Sequence, residues 1–227
     1  MLTHIDKNGK AKMVNVSEKK STLRKAYGAS SIYVGEKILD LIKKNEITKG
    51  DVLSTAKIAG IMAAKNTGNI IPLCHPLNLN FVDIIFQLDE LDKKVLIFSE
   101  AIIDAKTGVE MEALTAVSVA ALTIYDMCKG VDKRLLIGET YLVKKTGGKS
   151  GIFRNKEKIN GYIDKIDTGD DLLLKVGIVG ILSEFLELDD KFYVNGKQCK
   201  FILKDREIFI LNNNKLNISV GDKVWIE

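Results

Sequence analysis

The chain has 227 residues, 46% hydrophobic and 28% charged, with a net charge of +4. That balance belongs to a folded globular protein and excludes wholesale disorder. No run of eighteen uncharged apolar residues occurs, and Met1-Leu2-Thr3-His4-Ile5-Asp6 lacks a charged-then-apolar pattern, so neither membrane span nor secretion signal is expected.

The three cysteines (Cys74, Cys128, Cys199) are odd in number and never in C-x-x-C spacing. They argue against a disulfide framework or structural zinc, and for a reducing cytoplasm. With two histidines in the chain, a histidine-rich metal site is not expected. Residues 152–227 carry 12 Lys/Arg against 13 Asp/Glu, a charge of −1, which leaves +5 on residues 1–151. A basic first part points to an anionic ligand. The excess is small and not interleaved with aromatics, so a phosphorylated small molecule fits better than nucleic acid.

In chain order, residues 10–34 read as extended. Glu36 to Lys44 turns helical, with Ile38, Leu41 and Ile42 at i, i+3, i+4. Asp51 is a good N-cap for a helix from Val52 to Lys65 ending at Gly68. Its small face is Ala56, Gly60, Ala63 and Ala64; a mid-helix Gly60 costs about 1 kcal/mol against Ala, so another backbone should approach there. Phe81–Leu88 and Lys94–Ile103 read as strands around the charged turn Asp89–Asp92.

Thr107-Gly108 opens the longest predicted helix, Val109 to Lys129, stopped by Gly130 and apolar nearly all round. Arg134 to Lys145 reads as a strand, and Thr146–Gly151 as a Gly-Lys-Ser loop. Helices interleaved with hairpin-connected strands favour an α+β layer over a doubly wound parallel sheet. Residues 152–157 would link this part to a small β-barrel or sandwich over 158–227. There Phe192–Val194, Asn195-Gly196 and Lys197–Lys204 form a strong hairpin signal, and Ile208–Leu211 and Lys223–Ile226 add strands. No internal repeat is present.

Few residues stand out as chemistry. The only prolines, Pro72 and Pro76, bracket Leu73-Cys74-His75; the loop is either a stiff turn or a stiff turn that presents His75. Cys74 and His75 are adjacent in sequence and point apart, so they do not read as a nucleophile pair. In the long helix, Glu110 and Glu112 suit the N-terminal dipole and Lys129 the C-terminal one, whereas Asp126 opposes it and needs a partner. Lys129, three residues on, is the natural one, either as a helix-end salt bridge or as part of a site. Glu112 and Asp126 lie about 21 Å apart along a helix, so one chain's helix cannot bring both ends into one small-molecule site. The stretch Lys144–Gly151 fails the P-loop pattern, with no helix after it; it is either a linker or a loop that holds phosphate through backbone N–H groups and lysines.

Taken together, Leu2–Ile5, Lys49–Val52, Ile58–Ile61, Ile71–Leu77, Thr107–Ala116, Ala121–Lys129 and Gly147–Gly151 closely resemble the cyclic pyranopterin monophosphate synthase (MoaC) family over about residues 2–151. The resemblance implies a ferredoxin-like antiparallel sheet with helices packed on it, in a homohexamer (a trimer of dimers) with the site at a subunit interface. It implies conversion of 3′,8-cyclo-7,8-dihydro-GTP, supplied by a radical S-adenosylmethionine GTP cyclase, to cyclic pyranopterin monophosphate with release of pyrophosphate. By motif it assigns acid/base roles to Asp126, Lys129 and Lys49. It puts Leu73, Cys74, His75, Glu110, Met111 and Glu112 around the substrate, and Arg24, Lys145 and Lys149 on its triphosphate. A lysine near cations, with its pKa lowered, would suit such a proton shuttle. No cofactor or protein-held metal is implied, though Mg2+ could travel with the triphosphate. The chain departs from the family at Asn15, where Asp is more usual, and at Lys57, where Arg is common. Residues 152–227 match nothing recognisable; neutral charge and no catalytic constellation point to a docking or oligomer-edge role.

Overall fold

A computed structural model of the chain describes residues 8–170, 173–211 and 217–227; the Leu2–Ile5 motif lies outside them. The chain divides into two compact units, Met1–Phe153 and Arg154–Glu227.

In the first unit, β1 (Thr22–Tyr33) leads into α1 (Gly35–Lys43), α2 (Val52–Lys65) and the short α3 (Thr67–Ile70). The hairpin β2 (Phe81–Asp89) and β3 (Lys94–Ala105) follows, then α4 (Glu110–Cys128). The short β4 (Leu136–Ile137) and β5 (Tyr141–Thr146) follow, and β6 (Phe153–Arg154) falls across the boundary of the two units. The strands lie in the order β2-β3-β1-β5-β6 with β4 beside the end of β1, and the pairings of β1 to β5 are antiparallel. This is the mixed helix-and-antiparallel-sheet class expected from the sequence. Both helical connections, β1 to β2 and β3 to β5, skip one strand.

Ile38, Val52, Ala56, Ala116, Ala120 and Ile124 from the helices share one core with Ile32, Ile84, Val95 and Ile97 from the sheet. Helix α2 runs antiparallel to α4, and Gly60 faces α4 without room for a side chain. A Cβ there would stand 2.7 Å from the Ala116 carbonyl oxygen and 3.3 Å from Ala120 Cβ. Helix α4 is long and apolar enough, by length and composition, to cross a membrane. Here it buries Ala113, Ala116, Val117, Ala120, Ala121 and Ile124 and leaves Met111 and Leu122 exposed.

Several boundaries differ from the sequence reading. The extended run begins at Thr22, because Asn15 Oδ1 accepts the Ser17 amide at 2.9 Å and turns the chain first. Helix α2 stops at Lys65 with Asn66 as its C-cap. Gly68 instead sits inside α3, where a Cβ would lie 2.9 Å from Pro76 Cα. The strand expected over 134–145 is broken in two. Gly138 donates to the Ser31 carbonyl at 2.8 Å and Thr140 Oγ1 to Ser30 Oγ at 3.0 Å, so the chain steps off the ladder between β4 and β5. Helix α4 begins at Glu110, with Val109 as N-cap and Lys129 as C-cap.

The second unit resolves the choice between sandwich and barrel. Strands β7 (Asn160–Asp170), β8 (Leu173–Val179), β9 (Phe192–Val194), β10 (Lys197–Lys204), β11 (Glu207–Leu211) and β12 (Lys223–Ile226) close a barrel in the order β10-β11-β8-β7-β12-β9. Closure removes exposed edges, and Ile159, Ile163, Phe192, Ile210 and Val224 fill the interior. Asn195 and Gly196 both have positive φ, as a two-residue I′ turn requires. Arg154, in the stretch expected to link the units, forks onto the buried Asp190 at 2.8 and 2.5 Å.

Candidate active site at the two ends of α4

The antiparallel α2–α4 pair sets the geometry. The loop before α2 reaches the end of α4, and the loop after α3 reaches its start. Each end gathers a different group of polar side chains.

At the end of α4, Asp126 lies between two ammonium groups. Lys129 Nζ stands 2.7 Å from Oδ1 and Lys49 Nζ 2.9 Å from Oδ2. Lys49 also donates to the Asp126 main-chain oxygen at 2.8 Å, which satisfies one of the carbonyls a helix leaves open. Lys49 is delivered by a tight turn: Gly50 has a φ of +99° and donates to the Ile47 carbonyl. Asp51 then caps α2 through the Ser54 amide at 3.0 Å. The three side chains are about half exposed. Hydrogen bonds from Lys129 and Lys49 hold the Asp126 carboxyl down at about 2, so it stays ionised at any working pH. The same contact raises Lys129 above its ordinary value. The sequence reading of a lysine lowered into shuttle range is therefore corrected for one protomer: the carboxylate tightens the proton on Lys129.

At the start of α4 the surroundings reverse. Glu112 is buried, and burial, with the Glu110 charge added, pushes its carboxyl up to about 7. Cys74, half-buried in the proline loop, is raised by burial and by the charge of Glu112. The Glu110 carboxylate folds over Gly108, where a Cβ would stand only 1.8 Å from Oε2, and lies 3.3 Å from Lys145 Nζ. Lys145 donates in turn to Ser150 Oγ at 2.5 Å.

Arg24 belongs to this end. Its Nε donates to the Ala105 carbonyl at 2.9 Å and Nη2 to that of Lys106 at 3.2 Å. Gly147 and Gly148, both at positive φ, lay the loop over its guanidinium, where a Cβ on Gly148 would be 2.2 Å from Nη1. His75 turns to the N-terminal segment, with Nε2 2.9 Å from the Val14 carbonyl. Leu73, Met111 and Lys149 are exposed. Of the two family departures, Asn15 makes an Asx turn that Asp could also make, and Lys57 pairs with Asp83 at 2.6 Å.

Among the described residues, no group of three or more His, Cys, Asp or Glu is placed to hold a metal ion. The structure thus assembles two clusters, Lys49–Asp126–Lys129 and Glu110–Glu112–Lys145–Cys74, and keeps them at opposite ends of one helix.

Both clusters fall inside a recognisable segment. The MoaC family profile matches residues 13–148. Proteins of Bacillus thuringiensis (strain Al Hakam), Bacillus cereus (strain AH820) and Bacillus anthracis (strain CDC 684 / NRRL 3495), each named cyclic pyranopterin monophosphate synthase, are 56% identical to the chain over 156 residues. The matches cover 68% of this chain and 97% of each relative. The chain belongs to the MoaC family. Lys49, Glu110, Glu112, Asp126, Lys129 and Lys145 all lie within the MoaC match, Lys149 and Ser150 just past it, and the barrel beyond it.

Sequence reasoning missed two polar partners in this MoaC unit. Ser150, the acceptor for Lys145, lay in the quoted Gly-Lys-Ser-Gly stretch and was legible as a hydroxyl beside a cation. Ser99 is buried in β3 between Phe98 and Glu100, and only three-dimensional contact reveals its partners.

Proposed function

We propose that the chain converts 3′,8-cyclo-7,8-dihydro-GTP to cyclic pyranopterin monophosphate and pyrophosphate, a step of molybdenum cofactor biosynthesis. Membership of the MoaC family supports the reaction, and the Lys49–Asp126–Lys129 constellation carries it. The purine-derived ring must be opened and reclosed, and a substrate hydroxyl must attack the α-phosphorus. As the new phosphorus–oxygen bond forms, the bond to the bridging oxygen breaks and pyrophosphate leaves with the electron pair. Lys129, aligned by the permanently ionised Asp126, enters as an ammonium and is suited to donate a proton to a ring nitrogen. Lys49, held by the same carboxylate, is the second acid/base. Arg24, Lys145 and Lys149 would hold the triphosphate, with Leu73, Cys74, His75, Met111, Glu110 and Glu112 around the ring and ribose. The chemistry uses the chain's own acids and bases, and Mg2+ would enter only as the companion of the triphosphate.

Because α4 holds its two clusters about 21 Å apart, a complete site needs the start of one helix and the end of another. That favours a shared site in a ferredoxin-like homohexamer. The sheet order and the two one-strand-skipping connections are consistent with that fold, and exposed Ile58, Met62 and Leu122 offer apolar surface for contact. Triphosphate cations from a neighbouring protomer would also offset the grip of Asp126 and ease proton release from a lysine. The substrate would come from a radical S-adenosylmethionine GTP cyclase. Purified protein given the cyclised GTP intermediate should release pyrophosphate and an oxidisable pterin. An assembled protein that leaves the intermediate intact at every concentration would refute the assignment.

A further inference from the structure

The first turn of α4 carries both carboxylates of its cluster, yet it lacks the usual end fixing. Its N-cap is Val109, which makes no side-chain cap hydrogen bond, and the bond from the Ala113 amide to the Val109 carbonyl is long at 3.3 Å. What holds the turn is lateral. Ser99, on the helix side of β3 and 1% exposed, donates its hydroxyl to the Ala113 carbonyl at 2.8 Å. Ser99 Oγ in turn accepts the Gly28 amide at 3.3 Å.

Gly28 sits where the β1–β5 register slips. Tyr27 pairs with Lys144 and Gly28 with Leu142, leaving Val143 as an extra residue on β5. A Cβ on Gly28 would stand 2.9 Å from the Ala113 oxygen and 3.0 Å from Ser99 Oγ. Bare backbone is therefore needed for β1, β3 and α4 to meet at one hydroxyl. Ala113 directly follows Glu112. The charged and titratable groups placed around that carboxyl are Cys74 from the proline loop, Glu110 from α4 itself and, through Glu110, Lys145 from β5.

We propose that Ser99 is a positioning residue for the reaction above: its hydroxyl, shared by the Gly28 amide and the Ala113 carbonyl, fixes the first turn of α4 so that Glu110 and Glu112 meet the substrate in one geometry. This rests on the proposed function. Without the hydroxyl, the buried Gly28 amide loses its side-chain acceptor and the Ala113 carbonyl keeps its helical bond but loses its lateral one. The turn then shifts and water reaches Glu112, whose carboxyl falls back toward its ordinary value.

The test compares assembled full-length wild type, Ser99→Ala and Ser99→Thr by kcat, KM and pH profile on the cyclised GTP intermediate, with Glu112→Gln identifying the limb that Glu112 contributes. Ser99→Ala should lower kcat/KM at least about tenfold, in line with the cost of misplacing a reacting group by about 1 Å, and should move that limb to lower pH. Ser99→Thr, which keeps the hydroxyl, should hold both close to wild type. An Ala variant with the wild-type limb, even at reduced melting temperature, overturns the proposal, as does a Thr variant as impaired as Ala. Should Ser99→Ala fail to assemble, Gly28→Ala presses on the same carbonyl and must move the limb the same way. A wild type without turnover refutes the reaction instead. Ser99 is then judged by the pH dependence of Cys74 alkylation, whose inflection from the Glu112 charge must shift in Ser99→Ala; an unmoved inflection overturns the positioning role.

Discussion

The two ends of α4 put the same functional group into opposite surroundings. Glu112, in the first turn, is buried, with the Glu110 charge nearby, and its carboxyl is pushed up to about 7. Asp126, in the last turn, is half exposed between two ammonium groups, and its carboxyl is held at about 2. Neither difference comes from the helix. The dipole favours an anion at the first end and opposes one at the second, so it acts against both observed shifts. Desolvation overrides it at one end and two short ion pairs override it at the other. Glu112 can therefore exchange a proton near neutral pH, while Asp126 is a fixed anion that orients lysines.

That contrast can be broken in several ways. The largest effect is expected on turnover. Lys129→Ala and Asp126→Asn should each cost at least about a hundredfold in kcat, the lower range for a lost acid/base group, with the assembly intact by light scattering. Near-wild-type kcat in both would reduce the cluster to a helix-end ion pair.

The next effect concerns stability and carries a sign. A carboxyl raised from its ordinary value destabilises the fold as pH climbs, since the unfolded chain releases the proton first. The penalty is absent below about 4.5, grows toward 7 and is complete above it. Glu112→Gln should thus stabilise the protein at pH 8 by up to about 3 kcal/mol and leave it unchanged near pH 4, read from denaturant midpoints. Equal gains at both pH values would show that Glu112 is not strained by burial.

Between the ends, Gly60→Ala forces a methyl against the Ala116 carbonyl. It should cost about 1–3 kcal/mol, as overpacking does, and loosen both clusters together because α2 delivers a loop to each. The smallest effect is expected from the barrel: a chain ending at Phe153 should keep its kcat, since every residue assigned to the chemistry lies before that point. A large loss in an assembled truncation would give the barrel a part in the reaction.

Much of this was legible in residues, for physical reasons. Asp126 was conspicuous because a carboxylate at a helix C-terminus requires a compensating cation. Gly60 was conspicuous because a helix tolerates glycine only at some cost. Asn195-Gly196 announced its turn through positive φ. The family motifs placed Lys49 with Asp126, which no spacing rule could do across 77 residues. Other features were not encoded locally. The break between β4 and β5 depends on hydrogen bonds to Ser30 and Ser31 of a distant strand. The barrel's closure depends on β9 meeting both β10 and β12, a matter of pairing rather than pattern. The raised Lys129 was not legible, because the pairing with Asp126 could be read from spacing but not how far a carboxylate at 2.7 Å would outweigh neighbouring cations.

A site shared between protomers is tested most directly by mixing two defective chains. Lys129→Ala and Glu112→Gln homo-assemblies should each be strongly impaired, though measurably active, on the cyclised GTP intermediate. Co-assembled from denaturant, they should regain turnover, because some sites then combine an intact helix end from one chain with an intact helix start from the other. Mixed assemblies, verified by mass, that remain as impaired as their parents would contradict a shared site.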